Sequence, residues 1–337
     1  EVTGSVEFSY LSGSAGAATW STGGALQVAR EALAGAGTQD AGLAFGGCTN
    51  TGIVSCTEEY NGTAWSAGGA LITARYSLAG AGTQDAALAF GGAGSGGECA
   101  CTEEYDGTSW TAGGALSTAR MYLAGAGTQT SGIAFGGYNF SATACTEEYN
   151  GTAWSAGGAL ITARYSLAGA GTQTSGIVFG GYEAFSTSNK TEEYNGTSWS
   201  TGGALAVARY SLAGAGTQNS ALAFGGKLSS FCSCTEEYNG TAWSGGGNLG
   251  NGRSKLGGAG TSTSAVAFGG KNASNAYLSC TEEYSITTTY TPKKTFEYDD
   301  TTGDLDISGS SHVTGSFVTT GSVDFTYMSG SAEAEIS

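Results

Sequence analysis

Arginine, paired glutamate and tryptophan recur along this chain about every 45 residues, and they are the residue types best suited to chemistry. Paired carboxylates suit general acid–base catalysis or cation binding, and a set of arginines suits anion binding. Every Arg and every Trp of the chain belongs to this repeat. The arginines are Arg30, Arg75, Arg120, Arg164, Arg209 and Arg253, and the tryptophans are Trp20, Trp65, Trp110, Trp154, Trp199 and Trp243.

A residue that is present in every copy is most simply explained by a need of every copy. An Arg–carboxylate pair would satisfy charges that the fold buries, and Trp and Tyr would pack between copies. We predict that Arg75, Arg120, Arg164 and Arg209 each lie within salt-bridge reach of a glutamate. Equivalent carboxylate pairs in all copies argue against a single catalytic centre. The single histidine, His312, leaves no Ser-His-Asp set and no zinc ligand pattern. We therefore expect a protein without enzymatic activity, cofactor or metal.

The elements that position these residues follow from one copy, residues 75–110. Small residues over 78–83 predict an inner strand, and the apolar run 86–90 predicts a second strand that ends at Gly-Gly. The Thr-Glu-Glu-Tyr motif at 102–105 predicts a third strand. After it, an Asp-Gly turn leads into a fourth strand that ends at Trp110. Four short strands per repeat form one propeller blade.

The landmarks also predict how the ring closes. The sixth copy ends at Tyr284 with no Trp after it, and Trp20 has no Glu-Glu-Tyr before it. We predict an all-β, six-bladed propeller over residues 18–285, with Trp20 in the same blade as Tyr284, which removes the open edge. Residues 1–17 form an N-terminal strand segment, and residues 286–337 form a Ser/Gly/Thr-rich β extension.

The order Arg, Phe-Gly-Gly, Glu-x-Tyr and Trp resembles the kelch repeat over about residues 18–284. The chain departs from that pattern in lacking a proline after the Trp and in its very small inner-strand residues. These departures suggest a divergent, phage-like or environmental branch and not a cellular kelch adaptor. The extended stretch 307–317 is similar to low-complexity segments of structural proteins from marine tailed phages. The resemblance implies a propeller that binds other molecules, and a location in a virion or at an extracellular surface.

The copies differ most between Gly-Gly and Thr-Glu-Glu, where six loops should emerge on one face of the ring. Loops on a rigid scaffold commonly carry binding residues. Drift without any functional constraint is the competing explanation for their variety. The candidate ligand-binding residues are the loop aromatics Tyr138, Phe140, Tyr182, Phe185, Phe231 and Tyr277.

Composition restricts the partners. The net charge of −16 and the absence of a basic patch exclude nucleic acid as a favoured partner, and no apolar run is long enough to insert in a membrane. Five of the eight cysteines precede Thr-Glu-Glu, a place where Lys190 substitutes, so they indicate small strand residues. Cys48 and Cys56 flank one loop and could bridge. Cysteines two apart on one strand, as in 99–101 and 232–234, have poor geometry for bridging.

The two ends carry nearly the same segment, residues 3–15 and 320–332. Each alternates apolar and polar residues, as in Val6, Phe8 and Tyr10, which predicts a strand with one buried face. Pairing of the two ends within one chain would give a monomer. Exchange between chains would instead give a head-to-tail assembly.

The leading interpretation is a non-enzymatic virion or appendage protein whose propeller binds a host-surface glycan or protein. The alternative is a structural decoration or spacer that contacts only other virion or appendage proteins or copies of itself. An intracellular kelch adaptor is the third possibility, and it is disfavoured because the chain has no companion domain.

Overall fold

The computed structural model describes residues 8–14, 17–183, 185–286, 289–299 and 304–307. Residues 17–287 form one compact unit, and the terminal segments form another. The described residues contain strands and turns but no helix, which confirms the all-β prediction. The C-terminal copy at 320–332 lies outside the described residues.

The first unit is a six-bladed propeller, and each blade is a four-stranded antiparallel sheet. The first strands of neighbouring blades contact one another around a closed ring, so they surround the axis. In order from the axis outward, the strands of blade one are Ala34–Gly37, Gly42–Phe45, Thr57–Tyr60 and Trp65–Gly68, and those of blade two are Ala79–Gly82, Ala87–Phe90, Thr102–Tyr105 and Trp110–Ala112. Those of blade three are Ala124–Gly127, Gly132–Phe135, Thr146–Tyr149 and Trp154–Ala156, and those of blade four are Ala168–Thr172, Ser175–Phe179, Thr191–Tyr194 and Trp199–Thr201.

Blades five and six complete the ring. Blade five has Ala213–Thr217, Ser220–Phe224, Thr235–Tyr238 and Trp243–Gly245, and blade six has Gly257–Gly260, Ser264–Phe268, Thr281–Ile286 and, as its outer strand, Ala18–Gly23. Trp20 pairs with Tyr284 across this last sheet, which confirms the predicted closure.

The inner strands are small because the blades converge at the axis. A Cβ on Gly80 would lie 2.6 Å from Cζ of Phe45 in the neighbouring blade, closer than van der Waals contact allows. Phe45 is fully buried, as are the phenylalanines at the same place in the other five blades. Glycine in the inner strand therefore makes room for a phenylalanine of the preceding blade, and the apolar core lies between blades.

The two faces of the ring differ. The "turn face" carries the tight turns that join strands one to two and three to four. The "loop face" carries the variable loops and the crossovers between blades. Four of its loops fold into short hairpins: Cys48–Thr49 with Gly52–Ile53, Ala93–Gly94 with Gly97–Glu98, Tyr138–Asn139 with Ser141–Ala142, and Tyr182–Glu183 with Ser186–Thr187. In blade six the crossover strand Arg253–Ser254 pairs instead with Lys271–Asn272 of the loop.

The second unit contains a three-stranded antiparallel sheet. Its strands are Phe8–Ser14, Thr289–Asp299 and Asp304–Ile307, with Thr289–Asp299 in the centre. Phe8–Ser14 thus has a partner within its own chain, and that partner is not the C-terminal copy of the same sequence.

Candidate functional site

The repeated arginines are structural. The two terminal nitrogens of the Arg75 guanidinium bind groups of its own blade. They donate to the carbonyls of Ala89 and Cys101, and one of them lies 3.2 Å from the Glu103 carboxylate. Glu103 also accepts the backbone N–H groups of Ile72 and Thr73. The predicted salt bridges of Arg75, Arg120, Arg164 and Arg209 with glutamates are confirmed. Arg30 and Arg253 form the same kind of pair. The pairs are Arg30–Glu58, Arg75–Glu103, Arg120–Glu147, Arg164–Glu192, Arg209–Glu236 and Arg253–Glu282.

The tryptophans and the motif tyrosines join neighbouring blades. Trp110 Nε1 donates to Thr57 Oγ1 of the preceding blade at 3.0 Å. The Tyr105 hydroxyl donates to the second glutamate of that blade, Glu59, at 2.5 Å. The same two hydrogen bonds recur at all six blade interfaces, including the one that Trp20 makes with Thr235. The repeated side chains are therefore used by the fold, and the side chains left to form a site are those that vary between blades.

A closed ring of backbone hydrogen bonds surrounds the axis at the loop face. It is formed by the second residue after each repeated Arg, which has a positive φ of 53° to 55° in all six blades. Each residue donates its N–H to the carbonyl of its counterpart in the preceding blade, at 2.7–2.9 Å. We call this set the mouth ring, and its members are Ala32, Ser77, Tyr122, Ser166, Ser211 and Lys255.

Tyrosines cover one side of the mouth ring. Tyr165 contacts the rings of Tyr122, Tyr138 and Tyr182, with centroids 6.1, 5.2 and 5.5 Å away, and Tyr182 contacts Tyr210 at 5.5 Å. We call these five residues the tyrosine wall. Burial, followed by the neighbouring Tyr182 and Tyr138, raises the pKa of Tyr165. This phenol is therefore a neutral hydrogen-bonding group at physiological pH.

A pocket of about 300 Å³ lies between the tyrosine wall and the mouth ring. It opens on the loop face. Below it, a second space of about 120 Å³ continues along the axis between the mouth ring and a ring of leucines. The pocket is lined by Met121, Tyr122, Tyr138, Tyr165, Ser166, Tyr210, Ser211 and Lys255.

Charged residues occupy the opposite side of the mouth. The Nζ atoms of Lys255 and Lys271 lie 3.3 Å and 3.9 Å from the same oxygen, Oε1 of Glu31. Glu31 is buried, and its other oxygen, Oε2, has no hydrogen-bond partner within the described part of the chain. Burial alone would lower the pKa of Lys255, but Glu31 and then Tyr122 outweigh it and raise that pKa. The ammonium group of Lys255 therefore stays charged at neutral pH.

The six predicted loop aromatics lie in different environments on the loop face. Tyr138 and Tyr182 belong to the tyrosine wall and are half-buried. Phe231 and Tyr277 lie under Lys227 and Lys271, with Nζ 4.9 Å and 5.1 Å from the ring centroids. The remaining two, Phe140 and Phe185, project into solvent and are 87% and 95% exposed.

The pocket residues outside those loops were missed by the sequence reasoning. Tyr165 and Tyr210 follow the repeated Arg directly, and Tyr76 has the same place in blade two, so these tyrosines read as part of an invariant core. The signal that could have found the site is the variation at the two positions after Arg. The first is Glu, Tyr, Met, Tyr, Tyr and Ser through the six blades, and the second is Ala, Ser, Tyr, Ser, Ser and Lys.

The cysteines correct one expectation. Cys99 is joined to Cys101 and Cys232 to Cys234, with Cα atoms 5.3 Å and 5.2 Å apart. The prediction that they do not bridge assumed that both residues of a pair lie on one strand. The segments 99–101 and 232–234 instead precede the third strands, and their Cα separations suit a disulfide. Cys48 and Cys56, which could have bridged across the first loop, are both free thiols.

No family model matches the chain, and no curated protein matches it. Within the described residues, no group of three or more potential metal ligands comes together, and no helix is long and apolar enough to cross a membrane. The loop face of a six-bladed β-propeller, a fold commonly used for binding, is the candidate functional site.

Proposed function

We propose that this protein is a non-enzymatic binding module of a virion or extracellular appendage, and that it contacts a host-surface glycan or protein through its loop face. The partners on its own side would be other appendage proteins or copies of itself. The order of the repeat landmarks supports a divergent kelch-type origin within phage structural proteins. Binding without catalysis is consistent with the use of the repeated Arg and Glu residues by the blades themselves.

The observation that carries this proposal is the pair of exposed phenylalanines at the loop tips of blades three and four. Phe140 and Phe185 have φ values of 54° and 74°, a left-handed conformation that bulky residues seldom adopt. The corresponding tips of blades one and two carry Gly52 and Gly97, which adopt positive φ without strain. Strained and exposed apolar residues are typical of functional sites, because neither stability nor solubility explains them.

The test is adsorption of the purified protein to a panel of intact bacterial cells, marine isolates included. The double variant Phe140→Gly/Phe185→Gly should lose at least about nine-tenths of the adsorption. It should unfold at the same or a higher temperature, since glycine relieves a left-handed conformation that costs about 1–2 kcal/mol per residue. Asn275→Gly is the matched control, because Asn275 is an exposed loop residue with a φ of 59° and no apolar side chain. Adsorption that survives the double variant contradicts the proposal.

The alternative is a structural spacer that assembles through its ends. One observation favours it: Phe8–Ser14 occupies an edge of the strand Thr289–Asp299, and the second copy of the same sequence at 320–332 would fit that edge in another molecule. Light scattering on the intact chain and on a chain lacking residues 320–337 tests it. A monomeric state of both at high concentration rules out this assembly.

A further inference from the structure

We infer that the loop-face pocket binds an acidic sugar, a pyranose ring that carries a carboxylate. This inference rests on the proposed binding function and names the ligand class for it. It is carried by three features of the pocket that occur together: an aromatic wall, a floor of hydroxyl groups, and one lysine whose charge is only partly neutralised.

The aromatic wall suits the apolar face of a sugar ring. Tyr165 meets Tyr122 at an interplanar angle of 49° and Tyr138 at 62°, so these rings are tilted and do not stack face to face on one another. Tilted rings leave aromatic faces available to C–H groups of a ligand. Their phenol groups are hydrogen-bond donors and acceptors, as an amphipathic ligand with many hydroxyl groups requires.

Hydroxyl groups form the floor. Ser166 and Ser211 line both the pocket and the axial space below it. Ser77 also lines that axial space. It is 7% exposed, and its Oγ has no hydrogen-bond partner among the described residues. A buried hydroxyl without a partner is unfavourable, and the position of Ser77 at the mouth ring makes it available to a polar group that enters from the pocket.

Charge decides between a cationic and an anionic ligand. An aromatic wall alone would also suit a quaternary ammonium group, but Lys255 lines the same pocket and would repel it. Lys255 and Lys271 share the single Glu31 carboxylate, which leaves one positive charge uncompensated in this group of three. The local charge thus opposes that of the whole chain, which is −16.

The distribution of lysines over the propeller agrees with this assignment. All four lysines of the described propeller, Lys190, Lys227, Lys255 and Lys271, lie in loops or crossovers of the loop face. Asp40, by contrast, lies at a tight turn of the turn face, where the described residues include no lysine. An anionic ligand is therefore attracted to the loop face in preference to the turn face.

Calorimetric titration of the intact chain tests the inference. The probes are tetrasaccharides of galacturonate and of glucuronate and a sialic acid trisaccharide, each beside its methyl ester, which removes the negative charge and keeps the ring. We expect at least one acid to bind, at least tenfold more tightly than its ester. Lys255→Met and Tyr165→Ala should each weaken that binding at least tenfold. Lys190→Met is the matched control, because Lys190 pairs with Glu183 in a loop and does not line the pocket.

The outcomes separate this inference from the proposed function. If an ester binds as tightly as its acid, or if Lys255→Met and Tyr165→Ala both bind like the wild type, the acidic-sugar assignment is wrong. Binding of none of the probes also overturns it. In each of these cases, adsorption to cells that depends on Phe140 and Phe185 would leave the proposed function standing. Thermal melting of each variant shows that the fold is intact, and NMR titration of the same variants gives a second measure of binding.

Discussion

The polar residues buried in each blade set the stability of the propeller at the residue scale. Arg75 is fully buried, and burial lowers its pKa to about 10 although Glu103 opposes that shift. Arg75→Met should destabilise the fold by about 3 kcal/mol, because Glu103 is left buried without its cation. Chemical denaturation measures the loss. Lys190→Met, at an exposed ion pair, should change stability by less than about 1 kcal/mol. A loss that is equal in both variants would show that burial of the Arg75 pair has no special effect.

The interblade tyrosines predict how stability depends on alkaline pH. Burial, and then a hydrogen bond to Glu59, raises the pKa of Tyr105 to about 12, and the pKa values of Tyr60, Tyr149 and Tyr238 rise to about 12 in the same way. The folded state keeps these protons when the unfolded chain loses them near pH 10. Their contribution is therefore complete below pH 10 and is lost as the pH rises towards 12. Melting temperatures from pH 8 to 11.5 check this, and a constant melting temperature above pH 10 contradicts it.

Blade interfaces are the relevant units at the scale of elements, and one of the six differs from the others. In five blades a glutamine in the first turn donates its side-chain amide to two carbonyls of the preceding blade. Gln84, for example, reaches Gly42 and Tyr60 at 3.0 and 2.8 Å. Blade six has Ser262 at this place, and its hydroxyl is 2.7 Å from Ser220 Oγ. The interface between blades five and six therefore lacks a contact that the others have.

This difference predicts a stabilising substitution. Ser262→Gln should add about 1 kcal/mol, the typical net contribution of such hydrogen bonds. Ser220 occupies the place of Ser175, whose hydroxyl donates to Gln218 Oε1 at 2.8 Å, so it should assist in the same way. Gln84→Ser is the reverse exchange and should remove a similar amount. Urea denaturation compares the two, and a loss of stability in Ser262→Gln would refute the prediction.

The repeat allowed the blades to be predicted from the sequence, but it gave no indication of where the pocket lies. The number of blades follows from the number of repeat copies. The closure follows because the copy that ends at Tyr284 lacks a Trp and Trp20 lacks a preceding Glu-Glu-Tyr. The mouth ring could not be foreseen, because its geometry depends on backbone hydrogen bonds between residues about 45 positions apart, such as Ser77 and Ala32. Tyr165 lies in a segment that repeats between blades, so its sequence context does not mark it as a site residue. Only its position beside the axis shows that it lines a pocket.

Closure of the ring governs stability at the scale of the whole molecule. The strand Ala18–Gly23 comes from the opposite end of the chain and completes blade six. Removal of residues 1–24 should lower stability by several kcal/mol, because blade six loses a strand and Trp20 and exposes an edge. A chain lacking only residues 1–16 is the control and should melt like the intact propeller. Equal melting of both truncated chains would show that the terminal strand does not close the ring.

Because all six blades have the same backbone conformation at the mouth ring, a similar pocket could form beside any of them. All six crossovers have nearly the same φ at the ring, so the pocket lies beside blades three to six only because of the side chains there. Exchanging the two residues after Arg between blades, such as Glu31 and Ala32 for Tyr165 and Ser166, would move the pocket around the axis without altering the frame. One scaffold with six equivalent positions can therefore acquire, lose or rotate binding specificity through substitutions at these paired positions alone.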